Sequence, residues 1–352
     1  MFETILFMFP PHGTMPAMLK SKKFWGIAAS FLFLWLALQK ADLKQIPAIA
    51  ANLRFSFFLL MCGSFTLEHI FRAWRWQIIL SGRRLSLKHS YCGLILGYLF
   101  NNLLPARAGE FLRAWYLKKR DIAPAGEAFG SVVIERFLDG VVIVTFIVIS
   151  LLNFTATPLI RKASISAIVF YCLVLFAIVL MQFKRAAFEK ITDTVLQIFP
   201  EKIALLSKRA RNSFINGLAL IGKPVNFFKS VILSFIGWGL SLLTLYLCLR
   251  MFNLEIGIKE AILLISVLSI GSMIPASPGM IGVYEFCCVL VLNGMLKFSP
   301  EVAATFGLVS HSFGYFYILI AGFAVITIEN LKFSELQKGE TEFAVTQESS
   351  SL

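Results

Sequence analysis

Chemistry in this chain concentrates in Leu99 to Arg113, where an apolar run gives way to Asn101, Asn102, Pro105, Arg107, Gly109, Glu110 and Arg113. Arginine forks suit a phosphate or carboxylate, and amides suit hydroxyls. Arg107 and Glu110, three residues apart, can pair on one helix face. A second set follows in Glu135-Arg136-x-x-Asp139, which places Glu135 and Asp139 on one face at i,i+4. A third is Pro275-Ala276-Ser277-Pro278-Gly279 with Gly282 and Glu285. Charged side chains at membrane depth cost roughly 2.5–3.5 kcal/mol or more each, so such clusters need internal partners or water.

The surrounding residues show why depth matters. Hydrophobic residues make up 58% of the 352 and charged residues 15%, more apolar surface than a soluble chain of this size can bury. The fold class is therefore all-α, a polytopic integral membrane helical bundle. Full spans are expected at Phe24 to Leu38, Leu53 to Phe71, Ser131 to Leu152, Ile165 to Phe183, Val225 to Met251 and Val302 to Ile328. The run ending at Phe100 is too short for a bilayer that needs roughly 20 apolar residues, and Pro105 disfavours helix at Leu104. A re-entrant hairpin fits that stretch, and a second fits Ile262 to Lys297. Pro105, Gly109, Pro275, Pro278, Gly279 and Gly282 are the expected backbone breakers.

The formal charge of +13 belongs to loops rather than to a nucleic-acid surface. Arg72, Arg75, Arg83, Arg84 and Lys88 lie between Phe71 and Ser90 with no acid among them, which marks a cytoplasmic loop. Lys118, Lys119 and Arg120 return to the same basic side, as a hairpin entering and leaving by one face requires. Residues 184–223 carry eight basic residues against three acidic ones and read as a basic, amphipathic cytoplasmic segment. Residues 1–19 are set aside as an extension, with Met15 or Met18 as alternative starts. Residues 20–330 form the membrane domain, and 331–352 a disordered polar tail. Both termini then face the cytoplasm. The six cysteines sit in or beside apolar runs and read as small buried side chains. Glu68 and His69 read chiefly as interfacial.

The two odd stretches echo each other. Pro105-Ala106-Arg107-Ala108-Gly109 and Pro275-Ala276-Ser277-Pro278-Gly279 share P-A-x-x-G, and each precedes a glutamate, Glu110 or Glu285. Their flanks differ in charge, as expected of an inverted repeat with hairpins of opposite orientation. Such paired broken segments point to a central transport site.

The order N-N-L-L-P-A-R-A-G-E-x-x-R, then E-R-x-x-D, then I-P-A-S-P-G-x-x-G-x-x-E resembles the flippase-like family. That family is also described as the lysylphosphatidylglycerol synthase transmembrane region, or uncharacterised family 0104. The resemblance covers roughly residues 20–330. It implies movement of an anionic, aminoacylated or glycosylated lipid between leaflets of the cell inner membrane. Synthase activity is not expected to carry over, because the acyltransferase-like domain of the fused enzymes has no counterpart in these 352 residues.

On that reading the substrate contacts are Asn101, Asn102, Arg107, Glu110, Arg113, Glu135, Arg136, Asp139, Ser277 and Glu285. The ligand is a membrane phospholipid or a polyprenyl-linked lipid, and a lipid-synthesising enzyme is a natural partner. No nucleic acid, metal or other cofactor is expected, and no residue is assigned a catalytic role. The rivals are a membrane transferase acting on polyprenyl phosphate or phospholipid, and a non-catalytic subunit in envelope glycolipid synthesis.

Overall fold

A computed structural model describes residues 22–104, 109–155, 158–196, 208, 212, 224–274 and 278–331. These residues are helical, with no strand among them. Helix α1 covers Lys22–Leu38, and after a 3-10 turn at Leu43–Gln45 come α2 (Ile46–Ala51) and α3 (Ser56–Ile79). Helices α4 (Leu87–Leu103) and α5 (Gly109–Lys119) precede α6 (Ala125–Asn153), α7 (Pro158–Phe183) and α8 (Arg185–Leu196). Then follow α9 (Pro224–Met251), α10 (Ile258–Gly271), a 3-10 turn at Pro278–Met280, α11 (Val283–Val289), a π-helical turn at Leu290–Met295 and α12 (Pro300–Ile328).

Among the described residues, α9 and α12 have the length and apolarity to cross a membrane. The α2–α3 pair, bent by 91°, counts as a third if it forms one span. Helix α6 is as long as α12, at 29 residues and about 43 Å, but carries Glu127, Glu135, Arg136 and Asp139 in its first half. Large apolar side chains such as Phe31, Leu59, Leu152, Phe176 and Ile320 stay exposed along the helices, as lipid-facing surfaces require.

Two helix pairs are too short to span. Helix α4 has 17 residues, about 25 Å, and stops where Leu104 turns extended (φ −113, ψ 145), the conformation favoured before a proline. Helix α5 packs back against α4 through glycine. A Cβ on Gly109 would sit 1.9 Å from the Gly97 carbonyl oxygen, and the Gly109 N–H donates to Asn101 Oδ1 at 2.9 Å. The far ends of this pair meet at one carboxylate, because Lys88 lies 3.0 Å from Glu329 and Arg120 also bonds Glu329. The start of α4 and the end of α5 therefore lie at the same end of the bundle.

The second pair is built the same way. A Cβ on Gly271 of α10 would meet Cys287 Sγ of α11 at 2.5 Å. Between them Gly279 has φ +69 and Gly282 φ +89, and a Cβ on Gly282 would lie 2.2 Å from the Ser30 carbonyl oxygen of α1. Only glycine fits there.

Two boundaries differ from expectation. The second hydrophobic helix does not stop at Phe71 but runs on to Ile79, so Arg72 and Arg75 are not loop residues; they are 6% and 0% exposed. Glu68 and His69 are likewise buried rather than interfacial. The basic run deceives because its charge is matched by Glu68 one turn back and by carboxylates of another helix. The 1–19 extension, the 331–352 tail beyond Leu331, and most of the 184–223 segment lie outside the described residues; within the segment, α8 is helical.

Candidate buried charge network and paired broken segments

The network is assembled from four helices. Helix α3 projects Glu68, Arg72 and Arg75 from successive turns of one side, and α6 projects Glu135, Arg136 and Asp139 toward them. Helix α5 adds Glu110 and Arg113, and α9 adds Ser234, Trp238 and Ser241. Arg75 Nη1 donates to Asp139 Oδ1 at 2.6 Å and to Ser234 Oγ at 2.7 Å, while its Nη2 stands 3.5 Å from Glu135. Arg113 grips Glu135 with both ends of its fork, each at 2.9 Å, and lies 4.1 Å over the Trp76 ring. Arg72 bonds Glu68 at 2.8 Å and stacks on Trp238, whose indole N–H donates to Asp139 at 3.0 Å.

Arginines 72, 75, 113 and 136 face carboxylates 68, 110, 135 and 139, so the assembly is neutral. That balance is what a low-dielectric interior demands, since an unpaired buried charge costs several kcal/mol. Access is uneven. The side chains of Arg72, Arg75 and Arg113 are 8%, 1% and 3% exposed, whereas Arg136 is 37% and Glu110 24%. Arg136 touches Glu135 at 2.9 Å, Asp139 at 3.3 Å and Glu110 at 3.9 Å, and forms the open edge of the network.

The two broken segments meet at the end of α4. A Cβ on Gly279 would lie 3.6 Å from the Asn102 carbonyl oxygen at the end of α4. On the second segment, Glu285 accepts from the Gly282 N–H at 2.7 Å, closing the first turn of α11, and contacts His311 Nδ1 of α12 at 2.7 Å.

Of the residues expected at the site, Glu110, Arg113, Glu135, Arg136 and Asp139 come together in one network. Asn101 and Asn102 lie at the tip of α4, with Asn101 caught by the Gly109 N–H. Glu285 stands on the second segment, apart from the arginine network. Pro105, Arg107, Pro275 and Ser277 lie outside the described residues, as does any Arg107–Glu110 pairing. The described partner of Glu110 is Arg136.

Sequence reasoning misses Arg72 and Arg75 as network members. Their spacing from Glu68, at i,i+4 and i,i+7 on one helix face, is the available signal. His311 reads from the sequence only as a polar residue in an apolar span.

A family model for the lysylphosphatidylglycerol synthase TM region matches residues 23–322. The chain belongs to that family. A UPF0104 membrane protein of Methanothermobacter thermautotrophicus is 25% identical over 268 residues, covering 72% of this chain and 79% of that protein. Another, from Pyrococcus horikoshii, is 24% identical over 280 residues, 74% of this chain and 82% of its own length. A Methanocaldococcus jannaschii relative reaches 30% identity over 121 residues, a third of the chain. No solved structure matches. The matched region takes in the arginine network, both glycine-packed segments and His311, so this membrane protein carries the candidate site within its family domain.

Proposed function

We propose that the protein is a lipid translocator of the cell inner membrane. On this reading α1, α3, α6, α7, α9 and α12 are six full spans. The α4–α5 and α10–α11 pairs are re-entrant hairpins from opposite faces, and both termini are cytoplasmic. Lys88 and Arg120 converging on Glu329 supports the first hairpin, because it brings both ends of the short pair to one end of the bundle.

The observation that carries the reading is a neutral ionic network buried at a helix break and open at Arg136. A network meant only to hold helices together needs no arginine left 37% exposed at its edge, with a buried Nε that has no hydrogen-bond partner. A lipid phosphate approaching Arg136 displaces Glu110, the most distant of its carboxylate partners at 3.9 Å, and that carboxylate, 24% exposed, turns to water instead of staying unpaired in the interior. Acyl chains stay in the bilayer along the exposed apolar helix faces. Asn102, at the tip of α4, offers hydrogen bonds to headgroup hydroxyls, and the sequence pattern assigns Arg107 as a second fork. Arg113 is committed to Glu135 and acts by holding that carboxylate rather than by binding lipid directly.

Purified protein in vesicles holding a labelled anionic phospholipid tests this. Transfer of the unmodified lipid between leaflets, faster than in protein-free vesicles, is the expected result. Arg136→Lys keeps the charge but loses the planar fork, and a charged hydrogen bond worth about 1.5–3 kcal/mol implies roughly ten- to hundredfold slower transfer. A new covalent product instead of transfer favours a membrane transferase and refutes the translocator.

A further inference from the structure

The second broken segment holds a proton account that the arginine network lacks. His311 Nε2 lies 2.7 Å from the Gly279 carbonyl oxygen, and Nδ1 lies 2.7 Å from Glu285 Oε1. A carbonyl oxygen only accepts, so Nε2 carries a hydrogen. The short Nδ1–Oε1 contact then needs a proton of its own, on nitrogen or on oxygen. The other carboxyl oxygen accepts from the Gly282 N–H at 2.7 Å. Imidazolium with carboxylate and neutral imidazole with carboxylic acid are the two ways to fill this arrangement. Both hold one proton more than a neutral histidine facing an ionised glutamate.

We propose that Glu285 and His311 form a proton-binding site whose single exchangeable proton locks the second broken segment onto α12. Remove that proton and one of the two contacts of His311 must fail. If Nδ1 keeps its hydrogen toward the carboxylate, Nε2 turns a lone pair toward the Gly279 oxygen and the segment is released. If Nε2 keeps its hydrogen, two lone pairs oppose each other at the glutamate. Gly279 sits at φ +69 beside Met280 at φ +61, a backbone held in place by its neighbours, so losing the His311 contact frees a strained turn. That turn abuts Asn102 at the tip of the first segment. The proton is therefore bound where the two broken segments touch.

The surroundings leave the pair to balance itself. Tyr284 stacks on His311 at 4.5 Å and Tyr315 meets it edge-on at 6.5 Å. Cys287 and Cys288 flank Glu285 on α11, with Cys248 on α9. Helix α1 brings its charges, Lys22 and Lys23, at the end away from Ser30. Lys259 and Glu260 of α10, Lys297 after the π turn, Glu301 of α12, Lys229 and Arg250 of α9, and Lys88 and His89 of α4 likewise sit near the ends of their elements. On α3, Glu68 and Arg72 bond each other and His69 bonds the Phe65 carbonyl. Among the described residues the ion pair of Glu285 is with His311.

That the proton drives movement rests on the translocator reading; that it binds does not. In lipid nanodiscs, infrared difference spectra are taken across the pH range in which the protein stays folded. The imidazole and carboxyl bands are expected to change together in one step of one proton, absent from both Glu285→Gln and His311→Gln and kept in Glu285→Asp. Two separate steps, a step surviving in either glutamine variant, or no step at all overturns the site. A second measurement spares the pair from substitution: amide exchange across Met280 to Gly282, corrected for its intrinsic pH dependence, is expected to accelerate through the same step. Exchange that stays flat overturns the lock. In vesicles, leaflet transfer by the wild type is expected to respond to an imposed pH gradient. Transfer indifferent to the gradient refutes the coupling while leaving the translocator intact, and absence of transfer at any pH refutes the translocator while the titration step still tests the proton site.

Discussion

Helix α5, the second half of the first short pair, contributes to a network of four arginines and four carboxylates, whereas α11, the second half of the other pair, contributes to a pair of one histidine and one glutamate. The packing of the two regions is nevertheless alike. Each pair is short for a bilayer, each closes on a glycine whose Cβ would strike the partner helix, and each breaks near a P-A-x-x-G sequence. Similar backbones therefore carry different electrical behaviour. Arginine stays charged at any accessible pH, so the first region is a fixed field; the second is the region we propose to hold a single exchangeable proton. A fixed site suits holding an anion and a switching site suits changing its surroundings.

The largest effect that would sharpen this contrast is expected at Arg75. Arg75→Leu removes the guanidinium between Asp139 and Glu135 and strands buried carboxylates, which costs about 3–5 kcal/mol. Loss of membrane accumulation and a lowered unfolding temperature in detergent would show it. His311→Gln should cost much less, because Glu285 can keep the one proton we propose for the pair and so leave the second region neutral. Equal destabilisation by the two substitutions would break the contrast.

Glycine substitutions come next. Gly109→Ala and Gly282→Ala each force a methyl into backbone, and overpacking costs typically about 1–3 kcal/mol. Gly282→Ala is the worse because its φ of +89 adds strain of its own. Thermal unfolding in detergent ranks them. Tolerance of either would show that its helix pair can part at little cost.

A smaller effect is expected at Glu329, just past the end of α12. Burial alone raises its carboxyl, but hydrogen bonds from Lys88 and Tyr116 and the charge of Arg120 hold it below the ordinary carboxylate value. A depressed folded value means the stabilisation is present above the unfolded carboxylate range and fades as pH falls through the folded one. Glu329→Gln should flatten that acid limb by about 1 kcal/mol, since Lys88 is 64% exposed and well screened. An unchanged acid limb would detach this latch from the first hairpin.

The helical membrane class and both breaks were legible in the sequence, because an apolar run interrupted by proline, glycine and charge cannot continue as an ordinary span through a bilayer. Glu135, Arg136 and Asp139 stood out for the same reason. Arg72 and Arg75 did not: positive residues beside tryptophans at the end of an apolar run look like an interfacial loop, and beyond their spacing from Glu68 it takes partners distant in sequence to reveal burial. Asn101 offers amide chemistry on paper, yet its oxygen holds the Gly109 N–H. The role of His311 depends on a carbonyl 32 residues away, which no local pattern reports.

Whether lipid moves is the deciding question. Vesicles with a labelled anionic phospholipid in one leaflet, with and without the purified protein, measure this directly through the fraction of label reached by an outside quencher. A translocator gives faster, protein-dependent appearance of chemically unchanged lipid in the opposite leaflet, slowed roughly ten- to hundredfold by Arg136→Lys at equal protein content. The same rate with and without protein would contradict it.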